Sequence, residues 1–324
     1  MTFSQKVKNE LINSNMFDEN APSILAGVIL SSGSLVLSNR TITFCISSES
    51  QPLIEFTKKL ILRECPQAEL VEDIVKRNFK NKDRFEMTVD GDSGKELLST
   101  LGIVYMDRNG NRQINNLGGE FLYTTTESRI AFLAGLFLGS GSVSVPESIE
   151  LAEISKSTKS SGYHMEWVCS NENLAQRISE ELSLLGIIPK KVERYESFVV
   201  YIKESDSIST LLGLLGAHKS LLELENEKAG RQMRNLINRQ ANCISANIDK
   251  TVKAASEQLE AIEVIKNTIG IEALSEPLQE IALARLSNPD GSLVDIQAVL
   301  ESKISKGAVS QRFKKLIEIS NELK

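Results

Sequence analysis

Two serines at matching places in a repeated stretch are the first side chains to weigh for chemistry. Ser32 and Ser140 each precede a glycine at the end of an apolar stretch, Leu25 to Gly33 (LAGVILSSG) and Leu133 to Gly141 (LAGLFLGSG). A divalent cation needs hard, charged oxygen ligands. A serine hydroxyl supplies no such charge, and Leu30 and Leu138, two positions earlier, supply no ligand. The remaining candidates are scattered. Cys45, Cys65, Cys169 and Cys243 lack C-x-x-C spacing, and only His164 and His218 accompany them, so neither a zinc site nor a disulfide framework is expected. The cysteines read instead as small buried or half-buried thiols. No catalytic residue, metal or cofactor is expected.

Positive charge and hydrogen-bonding groups collect in the last third. The net charge of −6 argues mildly against a chain coated for nucleic acid. Yet 228–253 holds six basic residues against one acid, Asp249, and 303–315 holds five and no acid. With 41% hydrophobic and 25% charged residues, the composition is that of a soluble globular protein. No run is long enough for a membrane span and there is no basic-then-apolar leader, so a cytoplasmic protein is expected.

These residues need elements to place them. Arg129 to Gly141 is apolar on nearly every side, as a buried helix is, yet it contains Gly135 and Gly139. Glycine inside a helix costs about 1 kcal/mol relative to alanine, which a close backbone approach would justify. The stretch around Ala26 and Gly27 is the natural partner for Ala134 and Gly135. After each apolar helix comes a hairpin, an amphipathic helix, a second hairpin and a closing helix, an αββαββα order met twice. Cys45 to Glu49 aligns with Val168 to Glu172, Phe85 to Val89 with Phe198 to Ile202, and 97–102 with 211–216. The tip Lys76 to Arg84 carries five basic residues against Asp83 and reads as a solvated turn or a phosphate contact. Its counterpart around Lys190, Lys191 and Arg194 mixes in Glu193 and Glu196.

The paired stretches resemble the LAGLIDADG motif of homing endonucleases, in which two such helices form the interface and an acid beside the last glycine of each holds metal. Ser32 and Ser140 occupy those positions, so the resemblance implies the scaffold without the cleavage chemistry. The opening TFSQKVKNEL, GAHKSLLELEN from Gly216 and the series Met233-Arg234-Asn235, Asn238-Arg239, Asn242-Cys243, Ala246-Asn247 and Lys250-Thr251 resemble the WhiA family of bacterial transcriptional regulators. The resemblance runs from Thr2 to the C-terminus and implies a LAGLIDADG-like module joined to a helix-turn-helix, with roles in sporulation or cell division. Where family members commonly carry a cysteine pair before each motif helix, this chain has Asn20-Ala21 and Thr125-Thr126.

The expected organisation is therefore α+β. It comprises a first half at 1–106, a linker at 107–120, a second half at 121–218, a helical linker at 219–275 and an all-α helix-turn-helix domain at 276–324. In that domain Ser292 and Ser305 sit where N-caps belong, and 306–319 reads as a recognition helix. Its polar side offers Lys306, Ser310, Gln311, Arg312, Lys314 and Lys315, beside Ser305 itself. Gln pairs with adenine and Arg with guanine, so Gln311 and Arg312 are the best candidates for reading sequence. Arg231, Arg234, Asn235, Asn238 and Arg239 repeat at helical steps and suit either phosphate and base edges or a polar seam between domains. By itself the last segment fits DNA binding or a protein-binding domain with a basic face.

The expected partner is double-stranded DNA, bound by a monomer or weak dimer, with a protein co-regulator or RNA polymerase as a further candidate. The rival readings are a nuclease or RNA maturase relative and a partner-binding assembly platform.

Overall fold

The computed structural model describes residues 1–37, 42–76, 83–89, 91–146 and 162–324. The chain divides into two compact units, Met1–Ala229 and Gly230–Lys324.

The first unit is a duplicated α+β module behind a short N-terminal helix, α1 (Phe3–Ile12), which Thr2 and Gln5 close with a capping box. The first half runs α2 (Ala21–Ser32), β1 (Gly33–Leu37), β2 (Ile42–Ser48), α3 (Gln51–Glu64), β3 (Leu70–Lys76), β4 (Asp83–Val89) and α4 (Gly91–Thr100). The second runs α5 (Thr126–Ser140), β7 (Gly141–Ser144), β8 (His164–Cys169), α6 (Glu172–Leu184), β9 (Lys190–Arg194), β10 (Ser197–Ile202) and α7 (Ser205–Leu214). Each half forms an antiparallel four-stranded sheet, in the orders β1-β2-β4-β3 and β7-β8-β10-β9. The alternation of the strands decides which face is covered. Ile42, Phe44, Ile46, Met87 and Val89 of one sheet are buried, as are Met165, Trp167, Val200 and Ile202 of the other.

The two halves meet through α2 and α5. A Cβ placed on Gly27 would lie 2.4 Å from the Phe132 carbonyl oxygen, and one on Gly135 would lie 2.0 Å from that of Ile24. Ala26 and Ala134 are fully buried beside them. Further along, a Cβ on Gly139 would strike the Ser31 hydroxyl oxygen. The helices therefore touch backbone to backbone, and each runs directly into an edge strand of its own sheet, β1 or β7. Their apolar surroundings extend into one core that includes Val7 and Leu11 of α1 and Leu224.

The connection between the halves holds more structure than a linker. Strand β5 (Val104–Met106), at the end of the stretch assigned to the first half, pairs as a hairpin with β6 (Arg112–Ile114), which lies inside the stretch that composition marks as loop. Its turn is organised by Asp107, whose Oδ1 accepts from the amides of Asn109 and Asn111, while Gly110 takes a positive φ of 77°. The Asn-Gly pair at 109–110 is a hairpin signal that the composition of the segment obscures.

Helix α8 (His218–Thr268) continues from the first unit into the second without a break. At its start Glu10 of α1 accepts from the free amides of Lys219 and Ser220 at 2.7 and 3.0 Å, acting as an N-cap supplied from far along the chain. In the second unit, Ile262 and Ile265 of α8 share a small core with α9 (Glu276–Ser287), α10 (Leu293–Val299) and α11 (Lys306–Leu323), through Ile281, Ile296, Val309, Phe313 and Leu316. The expectation of buried or half-buried thiols holds for Cys45, Cys65 and Cys169 but fails for Cys243, which is exposed on α8. The helical repeat there turns Cys243 outward, and no other element of its unit covers it. Among the described residues, no helix is long and apolar enough to cross a membrane.

The crossing sets a sharp tolerance. Gly135→Ala is expected to lower the thermal midpoint of the first unit, because a backbone carbonyl cannot yield as a side chain can; overpacking of this kind costs about 1–3 kcal/mol or more. Gly213→Ala, whose added Cβ would meet only the end of Leu221 at 3.5 Å, is expected to leave the midpoint unchanged or raise it. Circular dichroism melts of the two variants test this, and equal midpoints would place the helix crossing elsewhere.

Candidate nucleic-acid interface

Helix α11 is built to present its first turns. Ser305 caps it, its hydroxyl accepting from the Ala308 amide at 3.3 Å, and the first turn contains no acid. Val309, Phe313 and Leu316 are buried, which turns Lys306, Gln311, Lys314 and Lys315 to the outside, with Ser310 half-buried at the margin. The preceding helix α10 is fixed by a capping box between Ser292 and Asp295. Free amides and no negative charge at a helix start favour an anion.

Two arginines hold this surface rather than belong to it. Arg285 is 2% exposed. Its Nη1 donates to the carbonyls of Asn288, Pro289 and Gly291, its Nε donates to Gln258, and the guanidinium lies 5.1 Å from the Phe313 ring centre. One cation thus ties the α9–α10 turn to the core residue that seats α11. Arg312, expected to read a base, turns toward α9 instead. Its Nη1 donates to Glu280 at 3.3 Å, to the Pro277 carbonyl at 3.4 Å and to the Ser302 hydroxyl at 3.5 Å. Glu280 also accepts from the amide and hydroxyl of Ser302 at 2.9 and 2.7 Å. Those bonds, the amide first, hold the Glu280 carboxyl below the usual carboxylate range. Position 312 follows Gln311 by one step, about 100° around the helix; only the packing of α9 reveals that this step brings it against an acid. Lys315 shares its charge with Glu318 at 3.1 Å, while Lys306 and Lys314 remain exposed.

On α8, Asn235, Asn238 and Arg239 are exposed on one face, and Arg231 and Arg234 are half-buried. Arg239 donates its Nε to the Asn235 carbonyl one turn back. Helical spacing puts Arg231, Asn235, Asn238, Arg239 and Asn242 on a common side, whereas Arg234 falls on the edge of the opposite side. That opposite side is apolar: Ile237, Ile244, Ile248 and Val252 are 54, 60, 56 and 55% exposed. Attention to the polar series in the sequence hides this second periodicity.

The paired helices end without metal ligands. Ser32 donates back to the Val28 carbonyl at 2.8 Å, and Ser140 lies 3.5 Å from that of Leu136. Lys8 of α1 donates to the Leu138 carbonyl at 3.0 Å, in the last turn of α5, and stands 5.7 Å from the Phe137 ring centre. Burial lowers its pKa to about 8. Neutral hydroxyls beside a cation do not fit a divalent metal, which needs charged oxygen ligands.

Strand register also shows what the uncovered sheet faces carry. Asp73 is paired with Glu86 beside Arg84 on the first, and Glu166 stands with Lys190 and Arg194 on the second. Acid and base balance there among the described residues. The basic tip of the β3–β4 hairpin, at 77–82, lies outside the described residues.

Residues 129–234 match the model of the WhiA LAGLIDADG-like domain, and residues 237–320 match that of the WhiA C-terminal HTH domain. The probable cell division protein WhiA of Clostridium acetobutylicum is 35% identical over 327 residues, spanning 100% of this chain and 99% of that one. This chain belongs to the WhiA family. The probable cell division protein WhiA of Clostridium tetani is likewise 35% identical, over 100% of this chain and 98% of its own. The crystal structure of full-length DUF199/WhiA from Thermatoga maritima aligns with a TM-score of 0.57, at 24% identity and over 99% of both chains. The WhiA fold, a LAGLIDADG-like module followed by a helical unit carrying a helix-turn-helix, is thus common to them.

The Glu280–Arg312–Ser302 cluster has a pH signature. A carboxyl whose folded pKa is depressed contributes stability at neutral pH and loses it as pH falls through the carboxylate range. Glu280→Gln is therefore expected to lower the melting midpoint of the second unit at pH 7, with the gap to wild type closing as pH falls toward about 4. A gap independent of pH would show that the ionised carboxylate is not what holds Arg312 and Ser302.

Proposed function

We propose that this WhiA-family chain is a sequence-specific, double-stranded-DNA-binding transcriptional regulator that does not cut DNA. The observation that carries the reading is the surface of α11: a capped helix start without acids, flanked by outward Lys306, Gln311 and Lys314, on a domain matching the WhiA HTH model. Helices of this kind enter the major groove with their N-terminal residues at base edges. Gln311 is the candidate reader, its amide suited to adenine. Lys306 and Lys314 act through phosphate. Arg312 serves as a brace that keeps α11 against α9. The polar face Asn235, Asn238 and Arg239 is a second, backbone-contacting surface. The balanced charge of the uncovered sheet faces favours placing affinity in the second unit. The names of the clostridial relatives support a role in cell division, with sporulation as the alternative setting, in the cytoplasm at the nucleoid.

Absence of cleavage rests on Ser32 and Ser140 and on Lys8 beside the end of α5. Supercoiled and linear genomic DNA incubated with the protein and Mg²⁺ or Mn²⁺ should stay intact, and divalent-dependent nicking abolished by Ser140→Ala would overturn this. For binding, Lys314→Ala is expected to weaken affinity for every sequence alike and to reduce the salt slope by about one. Gln311→Ala should cost about 1–3 kcal/mol at a single base position and relax the preference there. Titrations over a panel of single-base operator variants at two salt concentrations separate the two. A uniform loss for Gln311→Ala would assign base reading to another residue.

A further inference from the structure

From Ile237 to Val252, α8 carries an exposed apolar stripe, beside which its own unit places only the cleft wall of Asp290, Ser292 and Asp295 at the C-terminal end. Ile237, Ala241, Ile244, Ile248 and Thr251 follow one another at alternating steps of four and three, the heptad spacing of a helix-pairing seam. The same spacing continues into Ala255, Gln258, Ile262 and Ile265, which are buried. One seam therefore runs along the helix; the helix-turn-helix core covers its C-terminal part, while its N-terminal part stands open. Positions flanking the open part are uncharged: Asn238, Gln240, Ser245 and Asn247. The charges Arg239, Asp249, Lys250 and Lys253 all lie on the far side. Apart from Arg234 at one end and Asp290 and Asp295 beside the other, the surface is apolar in the middle and neutral at its edges.

We infer that this stripe docks a second copy of the same chain, α8 against α8 in antiparallel orientation. The orientation follows from the two ends of the stripe. Arg234 occupies the seam position one turn before Ile237. In a parallel pair it would face its own copy, placing like charges in contact. At the other end, Ile248, Thr251 and Val252 line a cleft of about 390 Å³ whose opposite wall is Asp290, Ser292 and Asp295. An antiparallel pair brings the Arg234 of one copy to the Thr251 end of the other, beside those two aspartates. It also sets Ala241 opposite Ile244 and Ile237 opposite Ile248, so that every pair in the middle of the seam is apolar. With little more than two heptads, the pair is expected to be weak and dependent on concentration. It would present two α11 helices, as symmetric DNA sites require, but its formation does not depend on the DNA-binding reading.

Sedimentation equilibrium of the full chain without DNA, over about 1–200 µM, is expected to show a monomer–dimer equilibrium. Ile244→Glu should weaken dimerisation by at least roughly tenfold, since it buries a charge in the seam, while leaving the circular dichroism spectrum unchanged. Arg234→Leu discriminates the orientation: antiparallel pairing loses the contact with Asp290 and Asp295 and weakens, whereas parallel pairing would lose a repulsion and tighten. Ser245→Ala, an uncharged change at the edge, should leave the equilibrium in place. A monomer throughout the range, a dimer insensitive to Ile244→Glu, or a tighter dimer from Arg234→Leu would each overturn the inference.

Discussion

The contact on which the first unit depends is the crossing of α2 and α5 at Gly27 and Gly135. There is no side chain between the two backbones, and carbonyl oxygens occupy the space where a Cβ would stand. Such proximity is available only to glycine, and it draws in the buried alanines at 26 and 134 and the apolar residues around them. Because Gly33 and Gly141 open β1 and β7 directly after the helices, the crossing also fixes where each sheet begins. Two sheets of identical strand order then follow from one packing constraint applied twice. The duplication is therefore physical as well as sequential: each half supplies the surface that buries the other's least polar helix.

Cations committed inside the protein decide how much positive charge its surface can offer. Lys8 lies against a carbonyl at the end of α5, Arg285 collects three carbonyls at the α9–α10 turn, and Arg312 is paired with Glu280. Lysine and arginine donate readily to backbone oxygens that have no amide partner, and helix ends and turns supply such oxygens. A count of basic residues along 303–315 therefore overstates what a nucleic acid would meet. In the second unit the consequence is a division of labour, with arginines shaping the domain and exposed lysines remaining on its surface.

Helix α8 brings two kinds of surface onto one element. Its polar side is a run of amides and guanidinium groups, and its apolar side is a seam that the helix-turn-helix core covers over only part of its length. A helix whose stability came only from the intrinsic propensities of its residues would be marginal over such a run. The covered seam and the Glu10 cap near its start each satisfy groups that an isolated helix would leave open.

Much of this was legible in the sequence because its causes are local or periodic. The two LAGxxLxSG stretches announce a close helix pair, since glycine in so apolar a helix has few other uses. Ser292 and Ser305 mark helix starts through bonds to amides three residues on, and the alternation of β2 identifies its buried face. The β5–β6 hairpin was legible in principle from Asn109-Gly110, but a segment rich in Asn and Gly reads as loop. What the tertiary structure alone decided concerns partners distant in sequence. Nothing near Arg312 indicates that Glu280 and Ser302 await it, and nothing near Lys219 indicates a cap from Glu10. Nor does the composition around Leu138 suggest that the ammonium of Lys8 closes that helix end. Side-chain direction at such positions is set by whatever the fold brings within about 3 Å, and sequence spacing carries no record of that distance.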